Sequence, residues 1–272
     1  SMEKYLDERV NEIKRMVSEY IRGFYSSSHT DNAAFRLKKD HTERVAKEII
    51  SIAQSLQLDG ENCILAEIIA YLHDIGRFRQ FATYKTFVDK KSENHAEIGV
   101  REIKRNGFLK NLSAEWRTVA VNAVSIHNRA AIPENLDSKS LFFAKMLRDA
   151  DKIDILHVVT SYYTGNNGVR NTALELDLPD TGSVSDDIYN DVMQRRVARS
   201  EKMRSLNDFK LLQMGWIFDL NFTRTFQIFK EREYLAKIYS VLPHTPKMQH
   251  LYNTVSTFLD RNSENEKLLQ HL

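Results

Sequence analysis

Four of the nine histidines in this 272-residue chain stand on or beside the apolar stripe of an expected helix, near one of its ends. His41 lies in Lys39-Asp-His-Thr-Glu-Arg-Val45 and His73 in Tyr71-Leu-His-Asp-Ile-Gly-Arg-Phe78. His95 lies in Ser92-Glu-Asn-His-Ala-Glu-Ile-Gly99 and His127 in Val124-Ser-Ile-His-Asn-Arg129. An acid-rich segment, Arg148-Asp-Ala-Asp-Lys-Ile-Asp154, follows. Imidazole and carboxylate together form a mixed nitrogen–oxygen donor set, suited to Fe, Mn, Zn or Ni more than to Ca. Four His and two Asp exceed what one tetrahedral ion uses, which points to two ions, and an ion pair suits in-line attack on a phosphate. His73-Asp74 closes the apolar run Ile64–Leu72, where a carboxylate is costly unless something pairs with it.

These residues need helices to carry them. With 42% hydrophobic and 28% charged residues, only 9 Gly and 4 Pro, and little strand-like alternation, the chain is expected to be all-α. Residues 3–25 form an amphipathic stripe through Leu6, Val10, Ile13 and Val17, and Ser26–Asn32 is a polar break. A second helix is expected from about Asp40, with Val45, Ile49, Ala53 and Leu56 on one face. A third runs from about Glu61 to Asp74 with Gly76 as its stop, and residues 77–91 read as a loop. Asn94 opens the next helix, which reaches Asn106-Gly107. Trp116, Val119, Ala123 and His127 share a face of another, which Ala131-Ile-Pro133 ends, and a long helix begins near Ser138. Thr164–Val169 is a turn cluster and Asp177–Asp187 a loop. Beyond them, 188–200, 208–231 and 247–259 read as helices, with a polar tail from Asn262. The expected organisation is a single α-helical domain over 1–272, with a metal-binding core at 35–160 and a helical extension at 161–272 that carries no motif.

Composition narrows the classes of function. The net charge is +2 with both signs interspersed, which gives no electrostatic footprint for a nucleic acid polymer or an anionic membrane. No apolar run reaches the ~20 residues of a spanning helix, and the opening Met2–Asp7 does not read as a signal peptide. The single Cys63 excludes an internal disulfide and fits a reducing compartment, so a cytoplasmic location is expected. Nothing in the composition speaks to oligomeric state.

In the order His…His-Asp…His…His…Asp the chain resembles the HD-domain superfamily of metal-dependent phosphohydrolases, over roughly residues 35–160. The matching pieces are His41, HDIGR at 73–77, NHAEIG at 94–99, IHN at 126–128 and DADKID at 149–154. The resemblance implies that His41, His73, Asp74 and Asp151 hold a first divalent ion. His95 and His127 would complete a second site, with Asp74 bridging. The implied ions are Fe, Mn, Zn or Ni, with Mg admissible. Asp151 is the match because the family's ligand follows Ala and precedes a basic residue. At about 100° per residue Asp149 faces nearly opposite to Asp151, while Asp154 shares its side and is a candidate supporting partner.

The resemblance further implies hydrolysis of a small phosphorylated metabolite or nucleotide by an activated water, with Asp74 orienting it. Arg77 is the candidate grip on the phosphate, or else a salt-bridge partner for a nearby acid. Lys85, Lys90 and Lys91 either line an anionic pocket or are solvated, and Lys152 is expected in an ion pair. Phe78, Phe81, Tyr84 and Phe87 either cover a base or sugar or belong to the core. His157 reads as a core histidine, and His29, His244, His250 and His271 as solvated. The C-terminal helices are expected to shape substrate choice or serve as scaffold. Two other readings use the same ligands: an HD-type di-iron oxygenase, and a non-catalytic nucleotide-sensing module.

Overall fold

The structure, a computed structural model, describes residues 1–165 and 168–264, and every regular element among them is helical. The chain divides into two compact units, Ser1–Asp151 and a second that begins at Lys152.

The first unit is organised around a helix that is largely apolar and buried. α1 (Met2–Arg22) and α2 (His29–Ser55) precede α3 (Gly60–Leu72), in which Leu65, Ala66, Ile68, Ile69, Ala70 and Leu72 are all fully buried. Burial at three successive positions leaves only the narrow, half-buried face through Cys63, Glu67 and Tyr71, so α3 needs neighbours on most sides. It packs against α1, α2 and α6 (Ala114–Ile126). α1 offers the stripe Leu6, Val10, Ile13, Val17 and Ile21, and α2 offers Val45, Ile49, Ile52 and Ala53. Each buried Leu or Ile contributes about 1.5–3 kcal/mol, which makes α3 a firm base for the residues at its end. α4 (Gly76–Tyr84), α5 (His95–Arg105) and α7 (Ser138–Thr164) complete the order, α7 running past the division at Asp151.

Side-chain caps decide where several of these helices start. Ser28, Asp59, Asn94 and Ser113 each accept a backbone N–H of the first turn of α2, α3, α5 and α6. The Ser28 cap corrects the expected start of α2, which lies at His29 rather than near Asp40, so Ser26–Asn32 is partly a helix opening. Residues 77–91 are likewise not all loop, since α4 occupies the first part. Its Phe78 is buried against the rings of Tyr20, Phe24 and Phe35.

Gly76 does not stop α3, which ends at Leu72 with His73 as its cap; it opens α4. Its role is contact. A Cβ there would stand 2.2 Å from the His95 carbonyl oxygen and 2.5 Å from the Gly99 nitrogen, so α4 meets the backbone of α5 directly. α6 ends at Ile126, ahead of Ala131-Ile-Pro133, and α7 begins at Ser138 as expected.

The second unit contains α8 (Asp186–Met193), α9 (Leu206–Gly215), α10 (Thr223–Glu231), α11 (Tyr234–Ser240) and α12 (Pro246–Glu264). Its core includes Leu211, Met214, Ile217, Phe229, Ile238, Leu251 and Val255. The helix expected over 188–200 stops at Met193, and Arg195 takes a left-handed φ of 58°. The one expected over 208–231 is two helices, separated by the 3-10 turn Trp216–Asp219 and an extended Leu220. Asn221 donates to the Asp219 carbonyl across that break. The polar tail begins inside α12; its residues from 265 on, and Asn166 and Asn167 of the turn cluster, lie outside the described residues. No described helix is long and apolar enough to cross a membrane.

Candidate metal centre

The structure brings six of the predicted residues together, all in the first unit. His41 comes from within α2, His73 caps the end of α3 and Asp74 follows it. His95 is the first residue of α5, His127 caps α6 and Asp151 lies on α7. Their donor atoms form two sets, His41–His73–Asp74–Asp151 and Asp74–His95–His127, which share Asp74. In the first, Asp151 Oδ1 lies 3.0 Å from His41 Nε2 and 3.3 Å from His73 Nε2. Asp74 Oδ2 lies 3.3 Å and 3.5 Å from the same two nitrogens. In the second, Asp74 Oδ1 is 3.5 Å from His95 Nε2 and 3.4 Å from His127 Nε2. One carboxylate therefore gives one oxygen to each set.

These residues fit a pair of metal ions. Ligands at ~2.1 Å from a tetrahedral or octahedral ion stand about 3.0–3.4 Å from one another, close to the spacings here. The tautomers agree. His127 Nδ1 donates to the Val124 carbonyl at 2.7 Å and His73 Nδ1 to that of Ala70 at 2.6 Å, each ring folding onto a carbonyl of its own helix end. His95 Nδ1 donates to Asp89 Oδ2 at 2.8 Å. With Nδ1 carrying the proton, a neutral ring leaves Nε2 as a lone pair. The Nε2 atoms of His95 and His127 face each other at 3.1 Å, and with both Nδ1 atoms carrying the proton these two lone pairs would suit a shared cation.

Electrostatics points the same way. Burial pushes the carboxyls of Asp74 and Asp151 up, but the surrounding histidines outweigh it and hold both well below the usual carboxylate range. Burial lowers His127, which keeps it neutral and able to ligate. Burial also works against charge on His73, yet Asp74 and Asp151 raise it overall, so protons and a cation compete for that site.

Residues 39–156, a span that contains all six, match the HD-domain family model. The chain carries an HD domain. HD domains form a superfamily of metal-dependent hydrolase type. No curated protein and no solved structure matches the chain.

Around the HD ligands stand residues that the sequence did not single out. Asp89 accepts from His95, and Gln80 and Asn128 both donate to Asp89. Buried Arg148 donates from Nη1 to the carbonyls of Ile126, His127 and Arg129 at 3.3, 3.4 and 2.6 Å. It thus closes the end of α6 that carries His127, where a cation also suits the helix dipole. Arg148 adjoins the DADKID segment, whereas Asp89 is a lone loop acid with no periodic signal.

Other predicted residues take varied places. Arg77 Nη1 donates to the Phe87 carbonyl at 2.7 Å, to Gln80 Oε1 at 2.8 Å and to Asp89 Oδ1 at 3.2 Å. Asp149 and Asp154 are buried and belong to neither donor set. Lys85 pairs with Asp31, Lys152 pairs with Asp219, and Lys90 and Lys91 are exposed. Phe78 is core, Phe81 packs on Phe35 and Phe87, and Tyr84 is exposed with its hydroxyl on Glu93. His157 is exposed rather than core, because the buried side of α7 there runs through Ile153, Leu156 and Thr160. His29, His244 and His250 are exposed as expected, and His271 lies outside the described residues. A cavity of about 490 Å³ along α5 and α6, lined by Ile103, Lys104, Leu109, Lys110, Arg117 and Val121 among others, contains none of the metal donors.

Proposed function

We propose that this HD domain hydrolyses a phosphate ester of a small metabolite or nucleotide. The observation that carries the reading is the division of the Asp74 carboxylate between two buried donor sets. His41, His73, Asp151 and Asp74 Oδ2 would hold one ion, and Asp74 Oδ1, His95 and His127 the other. Divalent ions there supply Lewis acidity, for water activation and for the charge that develops on phosphoryl oxygens.

The chain's own residues set the stage for that chemistry. Asp74 fixes the spacing of the two sets. The carbonyls of Ala70 and Val124 hold two rings in a ligating tautomer before any ion arrives. The apolar body of α3 excludes competing water and lets the ligands move little. A net charge of +2 supports a small anion over a nucleic acid polymer, and the lone Cys63 supports a cytoplasmic setting.

The test is turnover by protein loaded with Mn or Mg, under exclusion of oxygen, on phosphomonoesters, nucleotides, and cyclic and dinucleoside phosphates. Release of phosphate or of a hydrolysed nucleotide is expected. Two bound ions with no turnover across the panel, or an iron-loaded protein that turns over only with oxygen, would contradict the reading.

A further inference from the structure

His95 is held differently from the two histidines that cap their own helices. His73 and His127 end α3 and α6, where a carbonyl of the last turn, which also takes the histidine's own backbone N–H, is at hand to accept Nδ1–H. His95 begins α5, and a helix start offers free N–H groups and no free carbonyl. Its ring needs an acceptor from elsewhere. Asp89, in the 3-10 turn Asp89–Lys91 between α4 and α5, is that acceptor. Its oxygens lie 2.8 and 3.0 Å from His95 Nδ1, and Oδ2 also takes the His95 backbone N–H at 3.3 Å. A carboxylate at the opening of a helix is electrostatically favourable in itself.

Asp89 is in turn held by others. Gln80, fully buried, donates to Asp89 Oδ1 at 2.9 Å, Arg77 Nη1 donates to the same oxygen at 3.2 Å, and Asn128 Nδ2 donates to Oδ2 at 3.4 Å. The anchors are themselves fixed, Asn128 by Asn94 Oδ1 at 2.9 Å and Gln80 by Ser92 Oγ at 2.9 Å.

We propose that Asp89 is the positioning residue of the second ion site: it fixes His95 in the tautomer that ligates through Nε2, and Arg77 acts through Asp89 by anchoring its carboxylate. The inference deepens the metal-centre reading and rests on it. It also gives Arg77 a role beside the phosphate grip, through its Nη1, which donates to the Phe87 carbonyl, Gln80 and Asp89. The α4–α5 connection thereby becomes part of the metal centre, and the second ion depends on how well that connection is closed.

Asp89→Asn tests this, with Mn titration of the purified full chain and imidazole nitrogen spectra of the metal-free protein. Loss of a carboxylate behind a ligating histidine is expected to weaken the second ion by about 10–100-fold, with the first ion unchanged. His95 is expected to lose its uniform Nδ1–H signature, because an amide can donate to that nitrogen as well as accept from it. Unchanged affinity for both ions with an unchanged His95 signature would overturn the proposal, as would equal weakening of both ions. Should Asp89→Asn not fold, Arg77→Ala and Asn128→Ala each remove one anchor and carry the same test with a smaller effect. Ion counts do not depend on turnover, so a failure here is distinguishable from a failure of the phosphohydrolase reading.

Discussion

The two halves of the centre use the same donor types and are built in different ways. In the first, His41 and Asp151 project from the bodies of α2 and α7, each a 27-residue helix, and fully buried His73 is sealed onto the end of α3. In the second, His127 is sealed onto α6, but His95 leans on a carboxylate from a connecting turn. Connections open locally at a lower free energy than packed helices. On the proposed two-ion reading, a shared bridge with unequal supports predicts one tightly held ion and one exchangeable ion.

The largest effects should come from removing a ligand on one side. Asp151→Ala is expected to empty the first site, and His127→Ala to empty the second while one ion remains. Elemental analysis of the two variants checks this, and identical losses would erase the distinction.

Gly76→Ala should be the next largest. Its methyl would collide with the His95 carbonyl and the Gly99 backbone, which cannot swing aside as a side chain can. A cost of about 3 kcal/mol is expected, at the upper end for overpacking, read as a lower denaturation midpoint. Because the clash falls on α5, the second ion should be lost at a lower denaturant concentration than the first.

The smallest effect concerns how α5 is seated. Glu102, buried on α5, accepts from Tyr20 Oη and Arg79 Nε, each at 2.7 Å, which ties α5 to α1 and α4. Burial pushes its carboxyl up, but Arg79 and Tyr20 outweigh that and hold it below the usual range. A folded-state value lowered in this way stabilises the fold above the unfolded value and ceases to do so as pH falls through the folded one. Glu102→Gln should therefore lose on the order of 2 kcal/mol at pH 7, and the gap from wild type should narrow below about pH 4. Urea melts across that range check it.

Much of the centre was legible because its ligands sit at signalled positions. Asn94 caps α5 where the sequence opens a helix, and His73 and His127 stand where apolar runs stop. The all-α architecture followed from composition and periodicity. What stayed hidden depends on contacts between distant segments. α4 looked structureless because its apolar residues answer to α1, α2 and the connection between them, through Tyr20, Phe35 and Phe24, rather than to a regular stripe. Gly76 looked like a helix stop because a close backbone crossing leaves no local signature. The break after Gly215 escaped notice because no Gly or Pro lies between Trp216 and Thr223, and only Asp219 and Asn221 hint at it. Asp89 was passed over because a loop acid gains meaning only from the histidine it faces.

The central claim is that Asp74 bridges two ions, and counting metal tests it most directly. Wild-type protein saturated with Mn and then freed of excess is predicted to hold two ions per chain, and Asp74→Ala to hold none at the same concentration. A wild-type count that never exceeds one, or an Asp74→Ala protein that keeps both ions, would contradict the account.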